Sequence, residues 1–256
     1  MKIFFIVLIW VLAFPNSGFA QSDCTGGRYT TYNLFVNADV TNGVTFGNNI
    51  AVGGSPVDLR MDVYEPTGDT ETNRPVIIMA FGGSFIGGTR ADVAFMCEIF
   101  ARMGYVAIAP DYRVGLFFPN QITTTLAILR GAHDVKACVR FLKKTVAEDG
   151  NPYGIDCGRI VVGGISSGAI AAIHAAYLDN LAEVPSYMAN DTIGLGGVEG
   201  NSGSSWYPSD PLGVLSFSGA ILDTSWIESG DVAVASIHEE NDATVPFLTQ
   251  ELAIAG

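Results

Sequence analysis

The sequence predicts an α/β fold in which a mostly parallel, twisted β-sheet is covered by helices on both faces. Short apolar runs alternate with segments of helical spacing along most of the chain. Parallel strands that are buried on both faces appear as continuous apolar runs, and each pair of them needs a helical crossover. The length of 256 residues suits a single α/β domain.

The predicted elements begin with antiparallel strands. Residues 33–65 alternate between apolar and polar types, with GNN and GGSP as turns and VDLRMDVYEP as the clearest strand. Beyond them, buried strands alternate with helices. The predicted strands are RPVIIMAF, YVAIAPDYR, RIVVGG, LGVLSFSGAI and VAVASI, and the predicted helices cover residues 91–103, residues 123–147 and the segment after RIVVGG.

The N-terminal residues 1–20 are typical of a secretory signal peptide. Lys2 precedes an apolar stretch from Ile3 to Phe14, and small residues lead up to a cleavage site after Ala20. The apolar stretch is too short to span a bilayer comfortably. We therefore expect residues 21–256 to form one exported domain, secreted or periplasmic, with no membrane attachment after cleavage.

Charge and cysteine usage exclude several classes of partner. The formal net charge of −13 argues against nucleic acid and anionic membranes. Export permits disulfides, and the favoured pairs are Cys24 with Cys97 and Cys138 with Cys157, with free buried thiols as the alternative. The sequence does not indicate a zinc site, because no two cysteines are separated by two residues and the histidines are scattered.

Two adjacent serines stand between a predicted buried strand and a predicted helix, in the stretch GGISSGA. Gly164 and Gly168 lie two residues before and two after Ser166, which is the spacing of a nucleophile elbow. Such a turn forces its serine into a strained backbone conformation, and the flanking glycines let strand and helix pass closely. Ser167 lacks these flanking glycines, so Ser166 is the predicted nucleophile.

A glycine-rich loop, AFGGSFIGG, directly follows the predicted strand RPVIIM. Such a loop leaves backbone N–H groups free to point at a developing oxyanion. The N–H groups of Gly83 and Ser84 are the predicted donors, and the N–H of Ser167 completes the oxyanion hole. The loop and the elbow together are much more specific than either feature alone.

Residues 179–211 interrupt the alternation of strands and helices, because they join a helix to a strand that a far shorter loop could connect. Loops of this length in compact domains are usually functional or disordered. Tyr187, Trp206 and Tyr207 within the segment suggest a cap-like insertion that covers something. A surface insertion without such a role is the alternative.

Six stretches of the chain resemble α/β-hydrolase carboxylesterases, close to the hormone-sensitive-lipase-like and the bacterial feruloyl and acetyl esterase branches. They are LRMDVYEP, RPVIIMAFGGSFIGG, GYVAIAPDYR, DVKACVRFLKK, YGIDCGRIVVGGISSGA and SIHEENDATVPF, and they span residues 59–247. Phe81 stands where the family has the histidine of an HGGG-type motif, Ser84 replaces its third glycine, and Glu239 replaces the glycine of a His-Gly pair. The resemblance implies an α/β-hydrolase fold.

The same resemblance implies the acid of a catalytic triad. In SIHEENDATVPF, the family aspartate before Val-Pro corresponds to Asp242, whose role is to orient a histidine and to stabilise its imidazolium. Nearby carboxylates are less favoured alternatives; they are Asp223, Glu239 and Glu240. The family order is serine, acid, histidine, but no histidine follows Asp242 in the sequence.

None of the three histidines fits the role of base. His174 lies eight residues beyond Ser166 on one helix, about 12 Å along its axis. His133 lies on the long helix before the elbow strand, and His238 matches a strand-end histidine whose family role is structural. We therefore expect the last helix, strand and histidine loop of the domain to lie beyond Gly256, with loss of the triad as the alternative.

These observations predict an exported serine esterase that cleaves carboxylic esters through an acyl-enzyme on Ser166. Such chemistry needs no metal or organic cofactor. Small acyl esters, or acetyl and feruloyl groups linked to polysaccharides, are the implied substrates. The alternatives are a serine peptidase on the same scaffold and a catalytically silent hydrolase fold that acts as a binding module. Without a histidine, the 256 residues alone are expected to be inactive or weakly active.

Overall fold

The computed structural model describes residues 27–249, and within this range the chain forms seven strands and four α-helices. The strands are Ala38–Ile50 (β1), Pro56–Pro66 (β2), Arg74–Ala80 (β3), Val106–Pro110 (β4), Ile155–Ile165 (β5), Gly213–Phe217 (β6) and Ala233–Ile237 (β7). The helices are Ala94–Arg102 (α1), Gln121–Glu148 (α2), Ser167–Tyr177 (α3) and Ala189–Gly194 (α4). Short 3-10 turns cover Arg90–Val93, Leu181–Glu183, Ser186–Met188 and Thr224–Trp226.

The strands form one sheet in the order β1-β2-β4-β3-β5-β6-β7. β1 pairs antiparallel with β2, and β2 pairs antiparallel with β4. All the other neighbours are parallel. The predicted mostly parallel α/β sheet with an antiparallel start is therefore confirmed.

The centre of the sheet is covered on both faces. β4 is buried at all of its positions and β3 at nearly all, and successive strand residues point to opposite faces. α1 packs against β2 and β4, while α2 and α3 pack against each other and against the sheet. These contacts explain why the sequences of β3 and β4 are continuously apolar.

The edge strand β7 is exposed in contrast to the centre. All five of its residues are exposed, including Val234 at 45% and Ile237 at 64%. Within the described residues, β7 pairs with β6 alone. None of the described helices has both the length and the apolar character that a bilayer crossing requires.

Cys97, Cys138 and Cys157 are free thiols, and the predicted pairing of Cys138 with Cys157 is wrong. The Sγ of Cys138 lies in the core, 3.8 Å from the Sδ of Met61, whereas Cys157 is exposed on β5. Cys24, the predicted partner of Cys97, lies outside the described residues, as does the predicted signal peptide. Buried free thiols, the alternative from the sequence, describe Cys97 and Cys138.

The second half of the long 179–211 segment is attached to α2 by charged groups. Lys136 and Arg140 of α2 bind the carboxylate of Glu199 at 2.8 and 3.2 Å. The hydroxyl of Ser202 donates to Asp134 of the same helix at 2.6 Å. Both cationic side chains are almost fully buried, so the segment seals part of the α2 surface.

Candidate active site

Ser166 lies in a sharp turn between β5 and α3, where the flanking glycines predict it. Its backbone has φ 53° and ψ −121°, a combination that residues with side chains rarely adopt. The N–H of Ser166 donates to the carbonyl of Phe217 at 2.8 Å, and its carbonyl accepts from the N–H of Ile170 at 2.9 Å. These two hydrogen bonds hold Ser166 in its strained backbone conformation, and strained backbone of this kind is typical of functional sites.

The glycines on either side of Ser166 are required by close backbone contacts. A Cβ on Gly168 would lie 2.2 Å from the carbonyl oxygen of Ala80. A Cβ on Gly164 would lie 2.5 Å from the carbonyl carbon of Gly168. Neither distance leaves room for a methyl group, so α3 begins directly against the end of β3. This contact brings the elbow beside the glycine-rich loop that follows β3.

The glycine-rich loop approaches Ser166 and leaves amides free. A Cβ on Gly82 would lie 3.4 Å from the Cβ of Ser166. Gly83 and Ser84 have positive φ values of 130° and 54°. Throughout residues 27–249, no hydrogen bond uses the N–H of Gly83, Ser84 or Ser167. Ser84 and Ser167, whose N–H groups are unused, line the cavity together with Ser166, whereas Gly83 is not part of its lining.

Tyr112, which follows β4, connects this loop to the elbow. Its hydroxyl donates to the carbonyl of Phe81 at 2.9 Å and lies 3.1 Å from the Oγ of Ser167. Its ring stacks on Phe81 with 4.3 Å between centroids and meets the ring of Phe85 edge-on at 5.9 Å. Burial raises the pKa of Tyr112 to about 12, so the hydroxyl stays protonated at neutral pH. Sequence reasoning did not identify this contact.

A cavity of about 400 Å³ opens beside Ser166. Its wall is mostly apolar, with side chains such as Phe85, Leu116, Ile128 and Ile170. Serine and threonine residues complete the wall, and no charged residue of the described part of the chain lines it. Ser166 itself is half-buried. The cavity therefore suits an uncharged, largely apolar group placed next to this serine.

Asp242 lies in the loop after β7, and its neighbours Thr244 and Val245 line the cavity. The N–H groups of Val245 and Thr244 donate to Oδ1 at 2.9 and 2.8 Å. These bonds, with a smaller contribution from His238, lower the pKa of the Asp242 carboxyl below its ordinary value. The group is therefore ionised at neutral pH. Neither Asp242 itself nor any of the alternative carboxylates lines the cavity; the alternatives are Asp223, Glu239 and Glu240.

Two of the three histidines are fully buried in the core around α2 and α3. The Nδ1 of His174 lies 2.8 Å from the carbonyl of Ile170, and its Nε2 accepts from the N–H of Leu222 at 3.3 Å. Desolvation lowers the pKa of His174 to about 4. His133 packs beneath Gly200, and desolvation lowers its pKa to about 3. Neither side chain lines the cavity.

His238, the third histidine, is tied to the Asp242 loop through one nitrogen. Its Nε2 lies 2.8 Å from the carbonyl of Val245 and 3.5 Å from the Oδ2 of Asp242. A carbonyl can only accept, so Nε2 carries the proton. This histidine bonds within the loop after β7 and does not line the cavity, and its predicted structural role stays a prediction.

The 179–211 segment reaches this cavity only indirectly. None of its described residues is part of the cavity lining. The hydroxyl of Tyr187 lies 3.1 Å from the Oγ1 of Thr125, the residue after cavity-lining Thr124. Trp206 is 97% exposed, and Tyr207 donates to Glu148 at the end of α2. Three aromatic residues led to the prediction of a cap. Of these three, only Tyr187 lies near the site.

Comparison with known proteins identifies the family to which this chain belongs. The model of the BD-FAE family matches residues 61–199, which is more than half of the chain and includes both the glycine-rich loop and Ser166. The chain belongs to the BD-FAE family. The predicted resemblance to α/β-hydrolase carboxylesterases is thereby confirmed, and the hormone-sensitive-lipase-like branch stays a prediction.

Solved structures agree on the fold of this BD-FAE family member. An esterase from Thermogutta terrifontis with propionate bound is 24% identical, with a TM-score of 0.58 over 82% of this chain and 74% of that one. The esterase 2 of the same organism phosphoramylated by tabun is 23% identical, with a TM-score of 0.58 over the same shares. The predicted α/β-hydrolase fold is confirmed.

A curated relative matches over a shorter range. The fumonisin B1 esterase of Sphingopyxis macrogoltabida is 26% identical over 132 residues. The match covers 47% of this BD-FAE family chain and 23% of that protein. The chain therefore spans less than a quarter of the length of this relative.

Proposed function

We propose that this protein is a serine esterase that hydrolyses carboxylic esters through an acyl-enzyme on Ser166. The observation that carries the proposal is the position of this residue. Ser166 stands in a strained turn and lines an apolar cavity together with Ser84 and Ser167, whose N–H groups are unused, and the unused N–H of Gly83 lies in the same glycine-rich loop. Relatives named as esterases and membership of the BD-FAE family support the same activity.

The proposed reaction has two steps. The Oγ of Ser166 attacks the ester carbonyl carbon while a base takes its proton, and the carbonyl oxygen gains the negative charge that the three N–H groups stabilise. The C–O bond to the alcohol then breaks, and the alcohol leaves with that proton. Water attacks the acyl-enzyme in the same way and releases the carboxylic acid.

We propose Asp242 as the acid that orients the base of this reaction, and no histidine of the described residues is placed to act as that base. Each histidine of the chain already has another environment: His174 and His133 are buried away from the cavity, and His238 is bonded to Val245.

The proposed substrates are uncharged esters. The cavity has no charged side chain that could pair with a charged substrate. A carboxylate or ammonium group would therefore lose its water there without gaining an ion pair, which is unfavourable. Acetyl and feruloyl groups on polysaccharides, and small acyl esters, satisfy this condition. We also propose that residues 1–20 act as a signal peptide and that the protein is secreted or periplasmic; N-terminal sequencing of the exported protein tests this.

Hydrolysis of a short p-nitrophenyl ester by the full-length protein tests the activity. Ser166→Ala should abolish turnover because it removes the nucleophile. Ser204→Ala is a matched control, because Ser204 also has a positive φ, 50°, but does not line the cavity. Equal activity of Ser166→Ala and the parent protein would disprove the assignment.

A catalytically silent hydrolase fold is the second candidate, favoured by the positions of the three histidines. Labelling with a fluorophosphonate distinguishes the two candidates, since only an activated serine reacts rapidly. An esterase should label at Ser166 within minutes, and a silent fold should not label. Turnover of a peptide panel would instead indicate a serine peptidase on this scaffold.

A further inference from the structure

Two adjacent phenylalanines are exposed to solvent beside the Ser166 cavity. Phe118 is 91% exposed and Phe117 is 59% exposed. The residues on either side of this pair, Leu116 and Pro119, both line the cavity. Burial of an aromatic side chain is among the largest apolar contributions to folding, and these two rings contribute little of it. They are therefore available to something outside the fold.

The backbone of Phe118 supports the same conclusion. Its φ of 53° lies in the left-handed region, which is rare for a residue with a large side chain and suits glycine or asparagine. The fold gains little packing in exchange, because the residue is almost fully exposed. Strained backbone of this kind is concentrated at active sites and at sites that hold ligands. Folding alone therefore does not account for a phenylalanine at this position.

Two isoleucines extend this surface around the cavity. The N–H of Leu116 donates to the carbonyl of Phe85 at 2.9 Å, so the loop of the two phenylalanines lies against the glycine-rich loop. The next residue of the glycine-rich loop, Ile86, is exposed and also lines the cavity. The carbonyl of Phe118 accepts at 3.2 Å from a hydroxyl in the first turn of α2, where Ile122 is exposed. These four exposed side chains form an apolar rim, which consists of Ile86, Phe117, Phe118 and Ile122.

The sequence around the apolar rim carries no charge. Residues 81–89 and residues 114–129 contain no aspartate, glutamate, lysine or arginine, although the formal net charge of the chain is −13. An anionic surface would be repelled by that net charge and would find no cation at the rim. A second copy of the chain carries the same charge and would be repelled in the same way. The rim therefore fits an uncharged partner.

The exposure of Phe118 also indicates the shape of the partner. A small molecule is normally bound in a concave site whose walls cover most of its surface. A side chain that is 91% exposed stands out from the surface and cannot belong to such a wall. An extended apolar surface that yields to the ring can surround it instead.

We propose that the apolar rim docks the protein on droplets of a sparingly soluble, uncharged ester, so that the Ser166 cavity opens onto the ester phase. The inference rests on the proposed function, because it takes the docked material to be the substrate of this site. On docking, the rings of Phe117 and Phe118 pass from water into the ester phase, and this transfer supplies the binding free energy. Docking concentrates ester beside Ser166 and needs no new contact inside the cavity.

Flotation of the full-length protein with emulsified trioctanoylglycerol measures docking directly. Ser166→Ala removes turnover, so the droplets stay intact, and Phe118→Asn and Phe118→Trp are compared on this background. Asparagine tolerates a positive φ, so Phe118→Asn keeps the backbone of the loop. Phe118→Trp keeps an aromatic ring at the same position.

Trp206→Asn is the matched control for loss of an exposed aromatic ring. Trp206 is 97% exposed, and its neighbour Tyr207 donates to Glu148 at the end of α2. Ile122 of the apolar rim lies in the first turn of the same helix, about 40 Å away along the axis. The control therefore removes an aromatic side chain of equal exposure far from the rim.

Ser166→Ala should float with the droplets, and Phe118→Asn should weaken this binding roughly tenfold. Phe118→Trp and Trp206→Asn should both retain it. Vesicles of phosphatidylglycerol should bind less protein than the droplets, because the net charges of both are negative.

Turnover gives a second readout with Ser166 intact. Hydrolysis of tributyrin by the parent protein should accelerate when the ester exceeds its solubility and forms droplets. Phe118→Asn should remove most of this acceleration. It should leave kcat/KM for dissolved p-nitrophenyl acetate unchanged, because Phe118 does not line the cavity.

Four results would overturn the proposal: no flotation of Ser166→Ala, an equal loss of flotation in Trp206→Asn, tighter binding to phosphatidylglycerol vesicles, or a dimer in sedimentation that Phe118→Asn dissociates. The last result would assign the apolar rim to a second copy of the chain. If the parent protein hydrolyses dissolved esters but nothing floats, the esterase stands and the docking fails. If Ser166→Ala floats but the parent protein hydrolyses no ester, dissolved or emulsified, the docking stands and the proposed function fails.

Discussion

The hydroxyl of Tyr112 lies 3.1 Å from the Oγ of Ser167, the residue that follows the proposed nucleophile. The same hydroxyl donates to the carbonyl of Phe81 at the start of the glycine-rich loop. One side chain therefore joins the two backbone segments whose N–H groups form the proposed oxyanion hole. Tyr112 therefore acts on the site by positioning these two segments, and it does not line the cavity itself.

Tyr112→Phe should lower kcat more than it changes KM. The ring can keep its stacking on Phe81, but the loop and the elbow lose their shared hydrogen bonds, so the oxyanion donors are held less firmly. We expect kcat to fall roughly tenfold, since misplaced oxyanion donors cost transition-state stabilisation. Steady-state kinetics on a p-nitrophenyl ester measures this change.

Tyr177→Phe is the control for this variant. The Tyr177 hydroxyl donates to the carbonyl of Val232 at 2.7 Å, outside the cavity lining. Each variant should reduce the free energy of unfolding by about 1 kcal/mol, because each removes a hydrogen bond. Only Tyr112→Phe should change kcat, and an equal effect of both variants on kcat would contradict a positioning role.

Gly168→Ala should destabilise the fold strongly. A Cβ there would lie 2.2 Å from the carbonyl oxygen of Ala80, and backbone atoms at this depth cannot move apart easily. We expect a loss of about 3 kcal/mol or more in the free energy of unfolding, measured with urea. Gly53→Ala, where a Cβ meets nothing within 4 Å, should change it by less than about 0.5 kcal/mol. Equal stability of the two variants would rule out the close packing of α3 on β3.

Asp134→Asn should be among the most destabilising substitutions of a charged group. Its carboxylate pairs with Arg113 at 2.9 Å, with both side chains almost fully buried, and accepts from Ser202. Leaving a buried cation unpaired costs about 3–5 kcal/mol. Asp58→Asn breaks an exposed pair with Arg60 and should cost less than about 1 kcal/mol. Urea unfolding at neutral pH compares the two variants.

Stability should fall as the pH decreases from about 6.5 to about 4. Desolvation lowers the pKa of His174 to about 4 and that of His133 to about 3. Below pH 6.5 the unfolded chain therefore binds protons at these two side chains that the folded chain does not bind. The stability that depends on neutral His174 and His133 is fully present above the unfolded pKa of 6.5. It is lost as the pH falls towards the lower pKa values of the folded protein. At about 1.4 kcal/mol per pKa unit, the shift of His174 corresponds to roughly 3 kcal/mol.

His133→Leu tests the origin of this pH dependence. Neither ring nitrogen of His133 has a hydrogen-bond partner among the described residues, and a backbone contact with Gly197, outside hydrogen-bond geometry, only partly offsets desolvation. The variant loses a titrating group but no hydrogen bond. Urea unfolding between pH 7 and pH 4 should show a loss of stability reduced to roughly half. An unchanged profile would mean that other groups cause it.

The sequence predicts the sheet and the elbow well because both depend on local patterns. Continuous apolar runs mark β3 and β4, and the glycines around Ser166 mark a turn that only small residues can form. The position of the glycine-rich loop directly after β3 can likewise be predicted from the sequence. These features need no knowledge of which distant residues meet.

The contacts around the site could not be predicted in the same way. Tyr112 and Ser167 are 55 residues apart, and nothing near Tyr112 indicates which carbonyl or hydroxyl it will meet. Three consecutive threonines at the start of α2, residues 123–125, are alike in sequence, and only tertiary packing leaves the hydroxyl of Thr124 unpaired among the described residues. The disulfide prediction failed for the same reason, since Cys138 points into the core while Cys157 is exposed.

Mass spectrometry of the intact, full-length protein mixed rapidly with a p-nitrophenyl ester decides the role of Ser166. A transient species should appear with the added mass of the acyl group, on a peptide that contains Ser166, and Ser166→Ala should not form it. Hydrolysis at the parent rate by Ser166→Ala, or an acyl group attached to another residue, would contradict the acyl-enzyme mechanism.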